Sequence, residues 1–355
     1  VFDFTGTSEQ APCCVNCTAY GAAGGVFGAI APLLCYDIPW NQGILNTFRV
    51  EVPEGTLISA TFPAACSMGT VGGSFLACDA SIITVSQMLS CSDKYREEAT
   101  AQWSASSPGL MVSGVNKDGR NFVSIIMEPL CGGGGAKCYQ DGVDVAGKPW
   151  TPEATHPNVE SIELQLPVLY LYRKMVPDSA GAGKFRGGVA GELGIVLHDC
   201  PPGQISSGIF GMGCEPLMGY GICGAYPSHN IKLRIMRDSD IEERIRQGKP
   251  LAAFEDLRGQ VEVLPSKSSF DLRNGDVVSI EWNGGGGYGD PIDRDPELVS
   301  QDVWNGLVSG QCAEGVYGVV VDAEKGLVRG EETEKRRQDI RKERLSCRPP
   351  GGSVQ

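Results

Sequence analysis

The densest grouping of residues able to do chemistry is the string Asp178-Ser179-Ala180-Gly181-Ala182-Gly183-Lys184-Phe185-Arg186-Gly187-Gly188, which sets an acid, a hydroxyl and two cations among glycines. A guanidinium presents a planar fork of donors that suits a carboxylate. Asp178, Ser179 and Arg186 are therefore candidate substrate- or interface-facing residues, with Arg186 holding a substrate carboxylate or an acidic partner. The plainer reading is a long hairpin connection in which Arg186 pairs with Asp178. No Ser-x-x-Lys continuation or G-x-S-x-G elbow supports a serine nucleophile. Two tetraglycine runs, 132–135 and 284–287, invite comparison with phosphate cradles, whose backbone N–H groups converge on anionic oxygens. Neither is followed by Lys-Ser or Lys-Thr, and neither opens an amphipathic helix. The steric alternative is that glycine permits positive φ and lets another backbone pack close. Trp282 and Tyr288 flank the second run, which suits a wide loop pinned by two rings.

Metal chemistry has little support from spacing. Cys13, Cys14 and Cys17 form C-C-x-x-C, but zinc takes four ligands, and the next cysteine, Cys35, lies in an apolar stretch. His156, His198 and His229 lack a ligand partner at i+2 or i+4 and read as loop or packing residues. Asp141-Gly142-Val143-Asp144 reads as a turn, since a calcium loop needs a terminal Glu that is missing. No metal site is expected within this chain.

These residues need elements to position them. Residues 1–75 read as strands and glycine turns, with a turn at Asn41-Gln42-Gly43 and an alternating strand over 47–52 closed by Pro53-Glu54-Gly55. A helix is expected over 79–89, capped by Asp79 and keeping Ile82, Ile83, Val85, Met88 and Leu89 on one broad face. A short strand is expected over 122–127. Residues 159–166 alternate as a strand, and 168–172 continue as a buried one. Strand-like pieces recur at 195–198, 231–236, 260–264 and 277–282, a spacing that fits antiparallel β structure. Residues 241–248 form a charged, helix-like insertion. Asp295-Pro296-Glu297 is a helix start, and 331–345 is a charged helix, solvated or docked on a partner. The fold class is α+β: glycine-rich mixed sheets, a β-rich second half and a helical C-terminal tail. The expected divisions are an α+β part over 1–157, a β-rich domain over 158–292 and a helical, charged tail over 293–355.

Composition narrows the function. The 355 residues are 41% hydrophobic and 21% charged, which is globular rather than disordered. Forty-eight glycines without a G-x-y period mean turns and close backbone approaches, not collagen. The 30 Lys and Arg against 43 Asp and Glu give −13, a surface that repels nucleic acid and anionic membranes. The longest apolar run, 26–35, contains Gly28 and Pro32 and falls short of the ~20 residues a spanning helix needs. Fourteen cysteines in a chain this long read as reduced thiols, hence a cytoplasmic location. Val1-Phe2-Asp3-Phe4-Thr5 reads as the middle of a strand, so the chain is expected to be the later part of a longer product or of a split subunit.

Several strings, in order, resemble one family. They are Asp3-Phe4-Thr5-Gly6-Thr7-Ser8, Asp37-Ile38-Pro39-Trp40-Asn41-Gln42-Gly43, Val52-Pro53-Glu54-Gly55-Thr56, Pro63-Ala64-Ala65, Asn158-Val159-Glu160 with Glu163, the 178–188 string and residues 284–291. Together they resemble the hydantoinase B/oxoprolinase subunits and the related large subunits of acetone and acetophenone carboxylases. The resemblance implies a cytoplasmic hetero-oligomer in which a hydantoinase A-like partner binds and splits ATP. The B-type subunit would act on the activated small molecule with a divalent metal. Family chemistries open cyclic amides such as hydantoins, 5-oxoproline and lactams, or carboxylate ketones. Both pass phosphate to a carbonyl or enol oxygen. The family's metal-binding His and Asp residues precede the Asp-Phe-Thr-Gly-Thr string, and none of the three histidines here matches them. The metal ligands are therefore expected outside this chain, with Asp3, Thr5 and Thr7 at the edge of that site and Asn41 a further substrate or interface candidate. The N-terminal portion of the B-type subunit, if a separate chain, is a second expected partner.

The first functional expectation is the C-terminal part or split half of a B-type subunit of an ATP-dependent enzyme opening cyclic amides. The second is the corresponding subunit of a ketone carboxylase, towards which Val168-Leu169-Tyr170-Leu171-Tyr172-Arg173 leans. The third is a non-catalytic scaffold that completes a partner's active site.

Overall fold

The structure, a computed structural model, describes residues 1–104, 107–116, 118–150, 154–198, 200, 205–215, 218–249, 251–322 and 325–346, with only the backbone of 70 and 71. Its first layer departs from the strand-and-turn expectation. A parallel pair, β1 (Phe2–Asp3) and β2 (Val50–Glu51), flanks two packed helices, α1 (Ala19–Leu34) and α3 (Phe75–Ser90). Thr18 caps α1 by accepting from the Gly21 N–H at 3.2 Å. Ala22, Val26, Ala29 and Leu33 are buried, and a Cβ at Gly25 would strike the Ser74 carbonyl. The α1 glycines thus give up helix propensity for close approach to the start of α3. Asn41-Gln42-Gly43, expected as a turn, opens the short helix α2 (Gln42–Leu45), with Asn41 Oδ1 accepting from the Gly43 N–H at 2.7 Å. The expected 47–52 strand is reduced to β2. Helix α3 begins four residues before Asp79, which is therefore buried inside the helix rather than capping it.

The second layer is a sandwich. Strands β3 (Gly109–Val115), β4 (Asn121–Met127), β7 (Ile205–Phe210) and β10 (Lys267–Leu272) form an antiparallel sheet in the order β10-β7-β3-β4. Strands β5 (Val168–Met175), β6 (Gly191–Leu197), β8 (Lys232–Arg237), β9 (Gln260–Val263) and β11 (Val277–Glu281) form a second, in the order β5-β6-β11-β8-β9. Leu110, Val112, Ile126 and Ile209 of the first sheet share one core with Leu193, Ile195, Leu233, Ile235 and Ile280 of the second. The other face of the second sheet is also covered: Val196, Met236 and Val277 pack against Phe254, Leu257 and Ile241 of α5 (Ile241–Arg246). That double cover explains why β6 and β11 are buried at every position. Strand β5, expected to be buried, is a half-buried edge. Because β3, from before residue 157, pairs with β7, from after it, this sheet crosses the expected boundary there.

Residues 159–166 form a helix, α4 (Val159–Gln165), not the expected strand. Asn158 Oδ1 accepts from the Ser161 N–H at 2.8 Å, and Glu160 lies in the first turn. The apolar spacing Val159, Ile162, Leu166 fits a helix as well as an alternating strand, and the cap decides. The C-terminal region holds α6 (Pro296–Trp304), α7 (Gly310–Gly315), the hairpin β12 (Val321–Asp322) and β13 (Leu327–Val328), and α8 (Gly330–Ser346). Asp295 caps α6 through the Glu297 N–H at 3.0 Å, as its sequence predicts. Helix α8 docks on its own chain: Ile340 is buried, Arg337 reaches the carbonyls of Tyr317 and Arg294, and Arg344 grips Asp290 at 2.8 Å. Residues 347–355 of the expected tail lie outside the described residues. Among the described residues, no helix is long and apolar enough to cross a membrane.

Candidate functional site

Both tetraglycine runs and the 178–188 string meet in one place. A Cβ at Gly133 would strike the Gly188 carbonyl, one at Gly187 the Gly285 carbonyl, and one at Gly285 the Gly134 carbonyl. Extended segments with no internal hydrogen bonds lie this close only when built of glycine. They bond to each other instead: Gly134 N–H to Val143 O at 2.9 Å, Gly188 N–H to Gly134 O at 2.8 Å, Gly181 N–H to Gly285 O at 2.8 Å and Gly285 N–H to Gly188 O at 3.0 Å. Gly286 N–H reaches Gln102 O at 2.8 Å, and Phe185 and Tyr288 bridge in both directions. The steric reading of the glycines holds, without positive φ at 132–135 or 284–287. These runs make a poor cradle for the phosphates of ATP, because the N–H groups of Gly133, Gly134, Gly285, Gly286 and Gly287 are already spent on carbonyls of other segments.

An ionic clamp closes this glycine bundle. Arg186 pairs with Asp144 at 2.7 Å and Asp302 of α6 at 3.0 Å, and Arg294 with Asp141 at 2.6 Å and Asp302 at 2.8 Å. Arg186 and Arg294 are buried, so the glycine segments are tied to α6 in a low-dielectric setting. Asp178 does not pair with Arg186. At a φ of 59° it accepts from the Ser309 N–H at 2.8 Å. Ser179 is buried, donating to Val176 O at 2.7 Å and accepting from the Ala190 N–H at 2.8 Å. The calcium-like turn 141–144 supplies arginine partners.

Asp3, Thr5 and Thr7 lie together at the start of the chain. Asp3 Oδ1 accepts from the Thr5 N–H at 2.9 Å, and Thr7 donates to Phe4 O at 2.8 Å. Hydrogen bonds from Thr5 hold the exposed Asp3 carboxyl below its usual range. Asp3 lines a cleft of about 730 Å³ with Ile30, Leu34, Phe48, Val85 and Met88. Asn41 is exposed at the start of α2. No hydrogen bond among the described residues joins these four positions to Arg186.

The structure assembles a group that sequence spacing does not reveal. Glu128, just past edge strand β4, is buried and faces edge strand β5. Its Oε1 accepts from Tyr170 at 3.0 Å and Arg173 at 2.5 Å, while Oε2 lies 2.9 Å from His156 Nδ1. Arg173 also donates to Pro157 O at 3.1 Å, fixing the turn that carries His156. Burial, helped by the Glu128 charge, pushes the Tyr170 phenol up, so it stays a donor. Burial likewise pushes the Cys131 thiol up. Glu128, Cys131 and His156 are near enough to share a cation. The donor set does not suit a divalent metal: Arg173 already neutralises the Glu128 carboxylate, and only three donors converge, where a closed site takes four or more. It fits proton handling instead. A buried carboxylate orients the imidazole through Nδ1, and Nε2 makes no hydrogen bond among the described residues. His229 differs, with Nε2 tied to Trp282 O at 2.8 Å.

A second buried pair supports the bundle from behind. Burial pushes the Asp79 carboxyl up and the Lys148 ammonium down. Lys148 lies over the rings of Phe75 at 5.2 Å and Trp150 at 5.7 Å and donates to Ser104 O. Ser104 in turn donates to Asn283 at 2.7 Å, beside the second glycine run. The thirteen described cysteines are free thiols; only Cys17, Cys78 and Cys131 are buried, fewer than a packing role for all predicts.

The family model described as hydantoinase B/oxoprolinase matches residues 1–291. The acetophenone carboxylase delta subunit of Aromatoleum aromaticum is 28% identical over 96% of this chain and 52% of its own length. The caprolactamase subunit beta of Pseudomonas jessenii is 28% identical over 88% of this chain and 50% of its own. The nucleotide-free structure of acetone carboxylase superposes with a TM-score of 0.86 at 25% identity, covering 98% of this chain and 47% of that one. The chain thus spans about half the length of the relatives it matches.

Proposed function

The chain belongs to the hydantoinase B/oxoprolinase family, and from that premise we propose that it acts within the B-type subunit of an ATP-dependent enzyme of carbonyl compounds, with ketone carboxylation as its reaction. The observation that carries this reading is the likeness to acetone carboxylase, which takes in 98% of the chain at a TM-score of 0.86. ATP would be bound and split by a hydantoinase A-like partner, since five of the eight N–H groups in the two glycine runs are occupied by backbone carbonyls. A divalent metal, in the same reading, takes its ligands from outside these residues. The assembly is cytoplasmic, as its unpaired thiols suit.

Within this chain the proton-handling part falls to Glu128 and His156. Carboxylation at the carbon beside a ketone carbonyl requires that carbon to lose a proton. An imidazole with Nδ1 held by a buried carboxylate is oriented to accept it at Nε2. Asp3, Thr5, Thr7 and Asn41 remain substrate- or interface-facing candidates at the other end of the chain.

The test uses the purified complex. ATP consumption with acetone or acetophenone should require bicarbonate, and His156→Asn should lower turnover by about 100-fold. The second reading, opening of a cyclic amide, rests on the caprolactamase subunit, 28% identical over 88% of the chain. Bicarbonate-independent turnover of a lactam or hydantoin would select it. Full activity in His156→Asn would move the proton transfer to another chain and leave this one a scaffold.

A further inference from the structure

Of the Cys13-Cys14-x-x-Cys17 run only Cys17 is buried, and Cys13 and Cys14 are used by neither the core nor the proposed reaction; Cys14 adjoins Val15, which lines an apolar pocket. Asn16, fully buried, fixes this loop: it accepts from the Ala11 N–H at 2.7 Å and donates to the carbonyls of Ala11, Cys13 and Ala65 at 2.9, 2.8 and 3.0 Å. The Met68 N–H holds the Cys14 carbonyl at 2.9 Å. Lys267, the first residue of β10, reaches from the sandwich to place Nζ 2.7 Å from Cys14 Sγ. That contact and a hydrogen bond from Ser67 hold the Cys14 thiol below its ordinary range. A cation beside a partly exposed sulfur is the setting of a reactive thiolate. The pocket beside it has a volume of about 330 Å³; Val15, Leu57, Met68, Met212 and Met218 line it, with Lys267 also in its wall. The three sulfurs are not a metal set, because Cys17 is turned inward against Ser74 at 3.3 Å.

We propose that Cys14 is a covalent modification site for small apolar carbon electrophiles, such as enones and quinones, that enter this pocket. The Cys14 thiolate adds to the β-carbon of the electrophile. The S–C bond forms as the C=C π bond breaks, and the electron pair moves onto the carbonyl oxygen as an enolate. The Lys267 ammonium protonates that enolate and is itself reprotonated from water, so no oxidant or reductant is consumed.

The experiment follows labelling of the purified protein by N-phenylmaleimide and, separately, by iodoacetamide, with peptide mapping by mass spectrometry across a pH series. Exposed Cys91 is the internal reference for rate, and labelling of the buried Cys78 or Cys131 would betray an unfolded variant. Cys14 should react about tenfold faster than Cys91, and Lys267→Gln should remove about that factor near neutral pH. Met68→Gln, polar but uncharged, should leave the iodoacetamide rate intact and abolish the preference for the aromatic reagent. Cys13 and Glu215 are the other titratable groups at this mouth, so Cys14 should keep its early pH midpoint in Cys13→Ser and Glu215→Gln. Cys14 reacting no faster than Cys91, a rate unchanged by Lys267→Gln, or an aromatic preference that survives Met68→Gln would each overturn the proposal.

Discussion

Asp302 serves two arginines at once, 3.0 Å from Arg186 and 2.8 Å from Arg294, and all three are buried. Removing one partner of a buried pair leaves the other charge uncompensated. Asp302→Asn should therefore cost about 3 kcal/mol in urea unfolding, since it takes from each of two buried guanidinium groups one of its two carboxylate partners, leaving Arg186 with Asp144 and Arg294 with Asp141. A loss no larger than that of a surface substitution would contradict the clamp. His229 gives a pH-dependent counterpart. Burial lowers its folded-state pKa below the ordinary 6.5. Between those two values the unfolded chain binds more protons, so stability falls as pH drops below 6.5 and levels off beneath the folded value. The unfolding midpoint of His229→Gln should vary less with pH over that range than that of the parent, and parallel curves would rule this out. At this scale the sequence was only partly legible. Arg186 stood out by its glycine-rich surroundings, but its partners Asp144 and Asp302 lie 42 and 116 residues away. Glu128 and His156, 28 residues apart, meet only because the edges of two different sheets converge.

The glycine bundle is the element that sets the geometry. Gly133→Ala or Gly285→Ala pushes a methyl into another segment's carbonyl, where backbone on every side prevents relaxation. Each should cost about 3 kcal/mol or more. Gly24→Ala on the open face of α1, where a Cβ meets nothing, should stabilise by about 0.5–1 kcal/mol. Denaturation midpoints of the three variants check both signs, and a tolerated alanine at 133 would refute the interpenetration. Elements declared by local signals were legible: the Asp295 cap of α6, the charged α8, and the strand-like pieces that form β8 and β11. Those decided by packing were not. Helix α1 carries four glycines and a proline, which argue against a helix until α3 is there to receive them. Helix α4 fits two periodicities, and the cap at Asn158 chooses between them.

The whole molecule joins a helical layer, a two-sheet sandwich and a docked C-terminal region through the glycine bundle, whose segments hydrogen-bond chiefly to one another. The family was legible from the order of short strings along the chain, two of which, 178–188 and 284–291, mark tight backbone positions that the bundle needs. Substrate was not, since no single string carries it. The central claim is that this chain handles a carbonyl compound while a partner supplies the ATP chemistry. Phosphate release by the complex reconstituted from this chain and an ATP-binding partner tests it most directly. ATP hydrolysis should rise on adding a ketone with bicarbonate, or a cyclic amide, and disappear when either chain is omitted. Turnover of such a compound by this chain alone, without ATP, would contradict it.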